Sequence, residues 1–460
     1  MAYTFCVDFG STFTKLCVFD LENGELVMTT KHPTTVGTDA SIALLANFED
    51  AKRYVGEKGV KNARILTSSS AAGGLRMAVV GLTRRFSLLA GKNAALGAGA
   101  RIIKTFENKL TEDDIREIEG INPEIILLCG GIEGGNTGRV VHNVSMLKTA
   151  RVSSYIVYAG NREIAPFARQ EFISASLSCY MADNVFPEYG AVDGASAGKI
   201  IRQLFMERIA GAKGLARAFP IIGSVLMPTP AAVLACGKLL AEGTENEKGL
   251  SDLMVFDVGG ATTDVYSFCE TPEREGKHVG APEPFAKRTV EGDLGVRSSC
   301  LSMIEALDVG QESKRLGITA EKITDLCRQR AEAGTYVPDS DFQSEFDYFL
   351  ACKAVELSAR RHCGRITNAY AKNTAEITEG KDLTGVEAVL GTGGPVIHSK
   401  SYAGVLSNAL RKASEKTLLL PEKARFYLDK SYIMYAVGLC AAVAPGSALH
   451  ILKNNIIQVN

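Results

Sequence analysis

One local pattern occurs twice in this chain and limits what it can fold into. An apolar run ends in Asp, passes through a turn of glycines and hydroxyl residues, and continues into a second apolar run. The pattern opens the sequence over residues 3–20 (YTFCVDFG, STFT, KLCVFD) and returns over 253–268 (LMVFDVGGATTDVYSF). Apolar runs on either side of a glycine-containing polar turn predict β-hairpins. In DFGSTFTK, Gly10 lets the backbone come close to a ligand. The turn N–H groups, with the hydroxyls of Ser11, Thr12 and Thr14, can then point at phosphate oxygens. Asp8 at the strand end is placed to hold a hydrated Mg²⁺, and Lys15 adds charge. DVGGATTD repeats this logic with Asp257, Gly259, Gly260, Thr262 and Thr263. One such segment reads equally well as an ordinary polar hairpin. Two of them facing each other across a cleft would grip the β- and γ-phosphates of a nucleotide and leave two carboxylates to place metal and water. A third glycine segment, GTGGP (391–395), follows the strand EAVL. Gly391, Gly393 and Gly394 would let a base and sugar lie on the backbone; a plain strand-to-helix turn accounts better for one glycine than for three.

Composition narrows the class further. With 51 Lys and Arg against 52 Asp and Glu, the net charge of -1 excludes a generally basic nucleic-acid binder and an acidic solvating tail. Hydrophobic residues at 46% and charged residues at 22% describe a folded globular chain. Its 460 residues suffice for two or three domains. No apolar run reaches the ~18 residues of a membrane helix, and MAYTFCVDFG lacks the basic start and apolar core of a signal peptide. The expectation is a cytoplasmic protein. Its 11 cysteines contain no CxxC pair, so they read as free thiols; Cys6, Cys17, Cys129, Cys236 and Cys440 lie in apolar runs and are expected in the core. His362 and Cys363 are adjacent, which is poor chelating geometry.

Between the two hairpins, strand-like runs alternate with helical ones: LRMAVVGL (75–82), a helical stretch from about Thr83 to Phe106, a short helix over 111–120 opened by Thr111, PEIILLCGG (123–131), a helix to about Lys148, SSYIVYAG (153–160) and a further helix. Alternation of this kind predicts a parallel sheet. The expected organisation is a first lobe beginning at 1–73, an inserted flavodoxin-like α/β module at 74–182, the rest of the first lobe with a connecting helix at 183–250, and a second lobe at 251–460 with a helical insertion at about 302–380. Phe342, Phe346, Phe349 and Leu350 recur at helical spacing and are expected in the core, and Tyr432 to Val443 reads as a final helix.

The three glycine segments, in this order, resemble the ATPase superfamily shared by actin, hexokinases, acetate kinase and the heat-shock chaperone ATPases. MPTPAAVLACG (227–237) resembles that superfamily's first connecting motif and YAVGLCAAVAP (435–445) its second; a chaperone ATPase carries an acid where this chain has Met227. The resemblance implies two ribonuclease-H-like lobes that bind ATP and Mg²⁺. DFGSTFTK, TSSSAAGGLRMAVVGL (67–82), LLCGGIEGGN (127–136), YAGN (158–161) and RTVEGDLGVR (288–297) further resemble the accessory protein family of glutamate mutase. That resemblance implies an ATP-dependent, chaperone-like factor that keeps an adenosylcobalamin-dependent mutase competent, with mutase subunits as partners, slow ATP hydrolysis, homo-oligomers within its range, and no role for nucleic acid or membrane.

Three points stay open at this stage. Glu291 and Asp293 of EGDLG lie either near the nucleotide ribose or metal, or in a helix-capping loop. The inserted module either mimics a cobalamin-binding domain or is a structural insertion. Cobalamin domains of this layout bind cobalt through Asp-x-His-x-x-Gly, and the matching stretch here, Phe86 to Gly91, has Phe86 and Leu88 at the Asp and His places, so direct cobalamin binding is not expected. The same scaffold also serves small-molecule kinases, ATP-dependent hydantoinase or oxoprolinase subunits and actin-type filament proteins. Dehydratase activators are disfavoured for want of cysteines spaced for an iron–sulfur cluster.

Overall fold

A computed structural model describes residues 3–10, 12–70, 75–210, 213–272, 274, 276–333, 336–368 and 375–459. The chain divides into two compact units. The first holds Met1–Cys236, Val279–Pro284 and Tyr435–Ile451; the second holds Gly237–His278, Phe285–Met434 and Leu452–Asn460.

The first unit begins with the strands β1 (Thr4–Phe9), β2 (Phe13–Asp20), β3 (Glu25–Pro33) and β4 (Arg64–Ser69), with the helix α1 (Ala40–Lys61) between β3 and β4. β1 is buried along its whole length, as a central strand covered on both faces must be. It pairs antiparallel with β2 and parallel with β4. α1 starts at Asp39, whose side chain accepts the Ser41 N–H, and bends at Gly56, where φ is +68°.

A second, wholly parallel sheet follows: β5 (Arg76–Gly81), β6 (Arg101–Glu107), β7 (Ile125–Leu128), β8 (Tyr155–Tyr158) and β9 (Cys179–Met181). It is connected by α2 (Ser87–Gly97), α3 (Glu112–Ile121), α4 (Gly138–Leu147) and α5 (Ala165–Ser174), and followed by α6 (Ala195–Ala210). Its order is β6-β5-β7-β8-β9. Numbered within the module this is 2-1-3-4-5, the flavodoxin-like doubly wound order. The helical stretch read from Thr83 to Phe106 is therefore half wrong. α2 stops at Gly97, Gly99 adopts φ +91°, and RIIKTFE extends as strand β6. Thr111 does open α3, in a capping box with Asp114.

The chain then returns to the first sheet through β10 (Met227–Pro228), which pairs with β4 and gives the order β10-β4-β1-β2-β3. One apolar core joins β1, β2, α1, one face of the flavodoxin-like sheet, α2 and α6; the other face of that sheet packs separately on α3, α4 and α5.

The second unit contains β11 (Leu253–Val258), β12 (Thr263–Phe268), β13 (Lys277–His278), β14 (Ala286–Glu291), β15 (Arg365–Ile366), β16 (Ile377–Glu379), β17 (Ala388–Thr392), β18 (Arg425–Leu428) and β19 (Ile457–Val459). Its main sheet has the order β14-β12-β11-β17-β18-β19. Apart from the added β19, this is the order and direction of the first sheet, with the hairpin at the same place in each. The fold is thus α/β, with two ribonuclease-H-like sheets of the actin and hexokinase ATPase type and a flavodoxin-like insertion. The helix Asp341–His362 packs on the second sheet, and its Phe346, Phe349 and Leu350 lie in a core shared with helices Cys300–Glu305, Val309–Leu316 and Ala320–Glu332, while Phe342 is exposed. The stretch expected to be the last helix is Met434–Cys440; a further helix, Pro445–Asn455, and β19 follow it. Among the described residues, no helix is long and apolar enough to cross a membrane.

Candidate functional site

In the first hairpin, Gly10 N–H donates to the Phe13 carbonyl at 3.0 Å and closes the turn. A Cβ at Gly10 would lie 2.6 Å from that carbonyl oxygen, so the turn requires glycine there. Asp8 is 1% exposed and sits opposite Lys15 on β2 and beside Ser68 on β4. Its Oδ1 accepts from the Ser68 hydroxyl at 3.2 Å and the Thr229 hydroxyl at 2.5 Å, and its Oδ2 faces Lys15 Nζ at 3.5 Å. Thr12 is exposed. Thr14 is fully buried, its Oγ 3.4 Å from that of Thr34, so its hydroxyl belongs to the interior. Ser11 lies outside the described residues.

In the second hairpin, Gly259 N–H donates to the Thr262 carbonyl at 2.9 Å, the same closure. The segment after β14 supports this turn. Val296 N–H donates to the Gly259 carbonyl at 3.1 Å, Arg297 N–H to the Gly260 carbonyl at 2.8 Å, and the Ser299 hydroxyl to the Ala261 carbonyl at 2.6 Å. All four carbonyls from Gly259 to Thr262 are thereby engaged, so what the turn can offer a ligand is donors, the polarity a phosphate needs. Gly295 makes the close approach feasible, since its Cβ would fall 2.3 Å from the Ala261 carbonyl carbon. Thr262 is half-buried. Thr263 is fully buried and donates its hydroxyl to the Leu294 carbonyl at 2.6 Å.

Asp257 stands at the same place in β11 as Asp8 in β1, beside Thr392 of β17. It is half-buried, and the Tyr432 hydroxyl lies 3.5 Å from each of its oxygens. Gly393, at φ +91°, packs so tightly here that a Cβ would lie 2.2 Å from the Val258 carbonyl oxygen and 2.8 Å from Asp257 Oδ1. Gly391 faces inward, against Leu406 and Val396, while Gly394 opens the short helix Gly394–Ile397 with free space around its α-carbon. Glu291 and Asp293 are both held by Arg361, at 2.8 and 2.7 Å, and that guanidinium keeps the Asp293 carboxyl below its usual range.

Sequence reasoning missed three groups around the two carboxylates, Ser68, Thr229 and Tyr432, and a further carboxylate, Asp429, hydrogen-bonded to Thr392 on the strand beside Asp257. Asp429, just beyond β18, is completely buried. Its carboxylate accepts from the Ile433 and Met434 N–H groups at 3.0 and 3.1 Å and from the Thr392 hydroxyl at 3.3 Å, yet burial still raises its pKa. An apolar run ending in Asp, FYLD, was the available signal, and it is the same signal that marked Asp8 and Asp257.

Comparison with known proteins places the chain in a family. The family model described as MutL protein matches residues 4–456. The chain belongs to the MutL protein family. It is 39% identical over 456 residues to Protein MutL of Clostridium tetanomorphum, covering 98% of this chain and 99% of that protein. Among solved structures it is similar to ethanolamine utilization protein EutJ from Carboxydothermus hydrogenoformans, at 10% identity and a TM-score of 0.26, over 98% of this chain and 90% of that one. It is also similar to xylulose kinase from Bifidobacterium adolescentis, at 13% identity and a TM-score of 0.31, over 98% and 93% of the two chains.

Proposed function

We propose that this MutL-family protein is an ATP-dependent, chaperone-like accessory factor for an adenosylcobalamin-dependent mutase, with glutamate mutase or a related aminomutase as client. The observation that carries the reading is the duplication: two sheets of one order, each with a glycine-closed hairpin and an Asp at the same register position. Membership of the MutL family supports the accessory role.

In this reading the nucleotide is ATP, and the turns at Gly10–Thr12 and Gly259–Thr262 donate to its phosphates. Lys15 adds a cation beside the first turn, and Gly394 gives the adenosine room to approach the backbone. Two strand-end carboxylates, one beside each turn, form a donor set that suits Mg²⁺, which keeps most of its waters and takes one or two carboxylates together with substrate phosphates. Asp8 and Asp257 would supply those carboxylates and orient water, and the metal would neutralise phosphate charge. Thr14 and Thr263 have their hydroxyls in the interior and serve the hairpins as packing residues.

The test is capture of partners from native extract on the intact protein, with ATP, with ADP and without nucleotide, alongside calorimetry with Mg²⁺ and ATP. A cobalamin mutase retained in a nucleotide-sensitive manner is the expected outcome. Absence of nucleotide binding would overturn the reading, as would ADP release that depends on a small-molecule phosphate acceptor.

A further inference from the structure

The carboxylate of Asp8 is held in an unusual way for an almost completely buried acid. Its Oδ1 takes two hydroxyl donors, and neither comes from its own hairpin: Ser68 belongs to the neighbouring strand β4, and Thr229 is the first residue of the helix Thr229–Glu242. Thr229, at the first turn of its helix, sends its proton out of the helix, to Asp8 Oδ1 at 2.5 Å. The strand order makes this feasible, because β10 ends immediately before Thr229 and pairs with β4 at Ser68 and Ser69.

Hydroxyl donors fix a carboxylate without cancelling its charge, which an arginine in their place would do. The two hydroxyls on Oδ1 restrain the carboxylate, and Oδ2, which accepts from Lys15 Nζ over a long 3.5 Å, is the oxygen with capacity for a ligand. We propose that Thr229 is the positioning residue for Asp8: its hydroxyl, seconded by Ser68, sets the carboxylate plane in which Asp8 meets hydrated Mg²⁺. This inference rests on the assignment of Asp8 to the Mg²⁺ site made above.

The experiment measures nucleotide affinity by calorimetry over a Mg²⁺ series, for the full chain and for Asp8→Asn, Thr229→Val, Thr229→Ser and Ser68→Ala. Valine keeps the branched shape at the helix start and removes only the donor. Thr229→Val is expected to raise the Mg²⁺ concentration needed for tight binding about tenfold, the weight of a hydrogen bond to a charged group. Affinity without Mg²⁺ should stay unchanged, Thr229→Ser should restore the Mg²⁺ response, and Ser68→Ala should shift it in the same direction by less. Ser68→Ala leaves the helix untouched and so carries the test if the valine variant does not fold. Mg²⁺-dependent binding that Asp8→Asn abolishes and Thr229→Val leaves intact would overturn the inference while sparing the Asp8 assignment. Equal impairment by valine and serine would also overturn it. Binding in the unaltered protein that ignores Mg²⁺ would overturn the assignment itself, and the inference with it.

Discussion

The two hairpins share a register, a turn closure and a strand-end aspartate, yet they hold that aspartate by different means. Asp8 is buried and pinned by two hydroxyls from neighbouring elements. Asp257 is half-buried, with the Gly393 backbone packed against it and the long Tyr432 hydroxyl contact to both its oxygens. Support for the turn differs too. The second turn has each carbonyl from Gly259 to Ala261 tied to the segment 296–299. Where the first hairpin has Lys15 opposite its aspartate, the second has Asp264, itself paired with the buried Arg288. One scaffold thus supplies a carboxylate of fixed orientation and, separately, a turn of fixed backbone.

The largest expected effect tests the support of the second turn. Arg297, which ties Gly260, also shares the Asp347 carboxylate with the fully buried Arg330, at 2.6 and 2.7 Å. Asp347→Asn leaves Arg330 without its charge partner, and should cost about 3–5 kcal/mol in the denaturant transition of the second unit. Nucleotide affinity should fall with it. If the transition is unmoved, the turn does not depend on this pair of arginines.

Next comes Gly393→Ala. A left-handed backbone and a methyl group driven into the Val258 carbonyl predict a loss of about 2–3 kcal/mol and a displaced Asp257. Thermal melts and nucleotide titration would report the two losses, and intact binding would show that the position of Asp257 is not critical.

A third, smaller effect is confined to the second unit. His362 is completely buried, 2.8 Å from the hydroxyls of both Ser267 and Thr289, and burial, reinforced by Lys287 and Lys381, depresses its pKa well below the ordinary value. The unfolded chain takes up that proton below about pH 6.5 while the folded chain does not. Stability is therefore full above about pH 6.5 and declines as pH falls toward the depressed value, by at most about 1.4 kcal/mol per pH unit from this group. Urea titrations at several pH values should show the slope, and His362→Gln should flatten it.

The smallest effect sharpens the contrast directly. The Tyr432 hydroxyl lies at the limit of hydrogen bonding from Asp257. Tyr432→Phe should change Mg²⁺-dependent affinity less than threefold, a few tenths of a kcal/mol for so long a contact. A change as large as that expected of Thr229→Val would mean that both carboxylates are oriented by hydroxyls.

The glycines and strand-end aspartates of the hairpins were legible in the sequence because turn chemistry is local. The polar neighbours were not. Ser68 and Thr229 reach Asp8 only through a sheet order that brings residues 8, 68 and 229 together, and Thr229, flanked by Pro228 and Pro230, reads locally as part of a turn. Strand β6 was hidden for a related reason: RIIKTFE fits a helical periodicity until Gly97 and Gly99 are recognised as a stop. The burial of Thr14 and Thr263 was not legible, because a hydroxyl within a turn motif gives no sign of which face of the strand it occupies.

The flavodoxin-like sheet leaves the first sheet after β4 and the chain re-enters it at β10, the strand hydrogen-bonded to β4. At the junction, Leu226 N–H donates to the Thr67 carbonyl at 2.9 Å, so exit and return are neighbours. The domain spliced in at this point leaves the threading of its host sheet unbroken, while one of its faces is sealed against that host by a common apolar core.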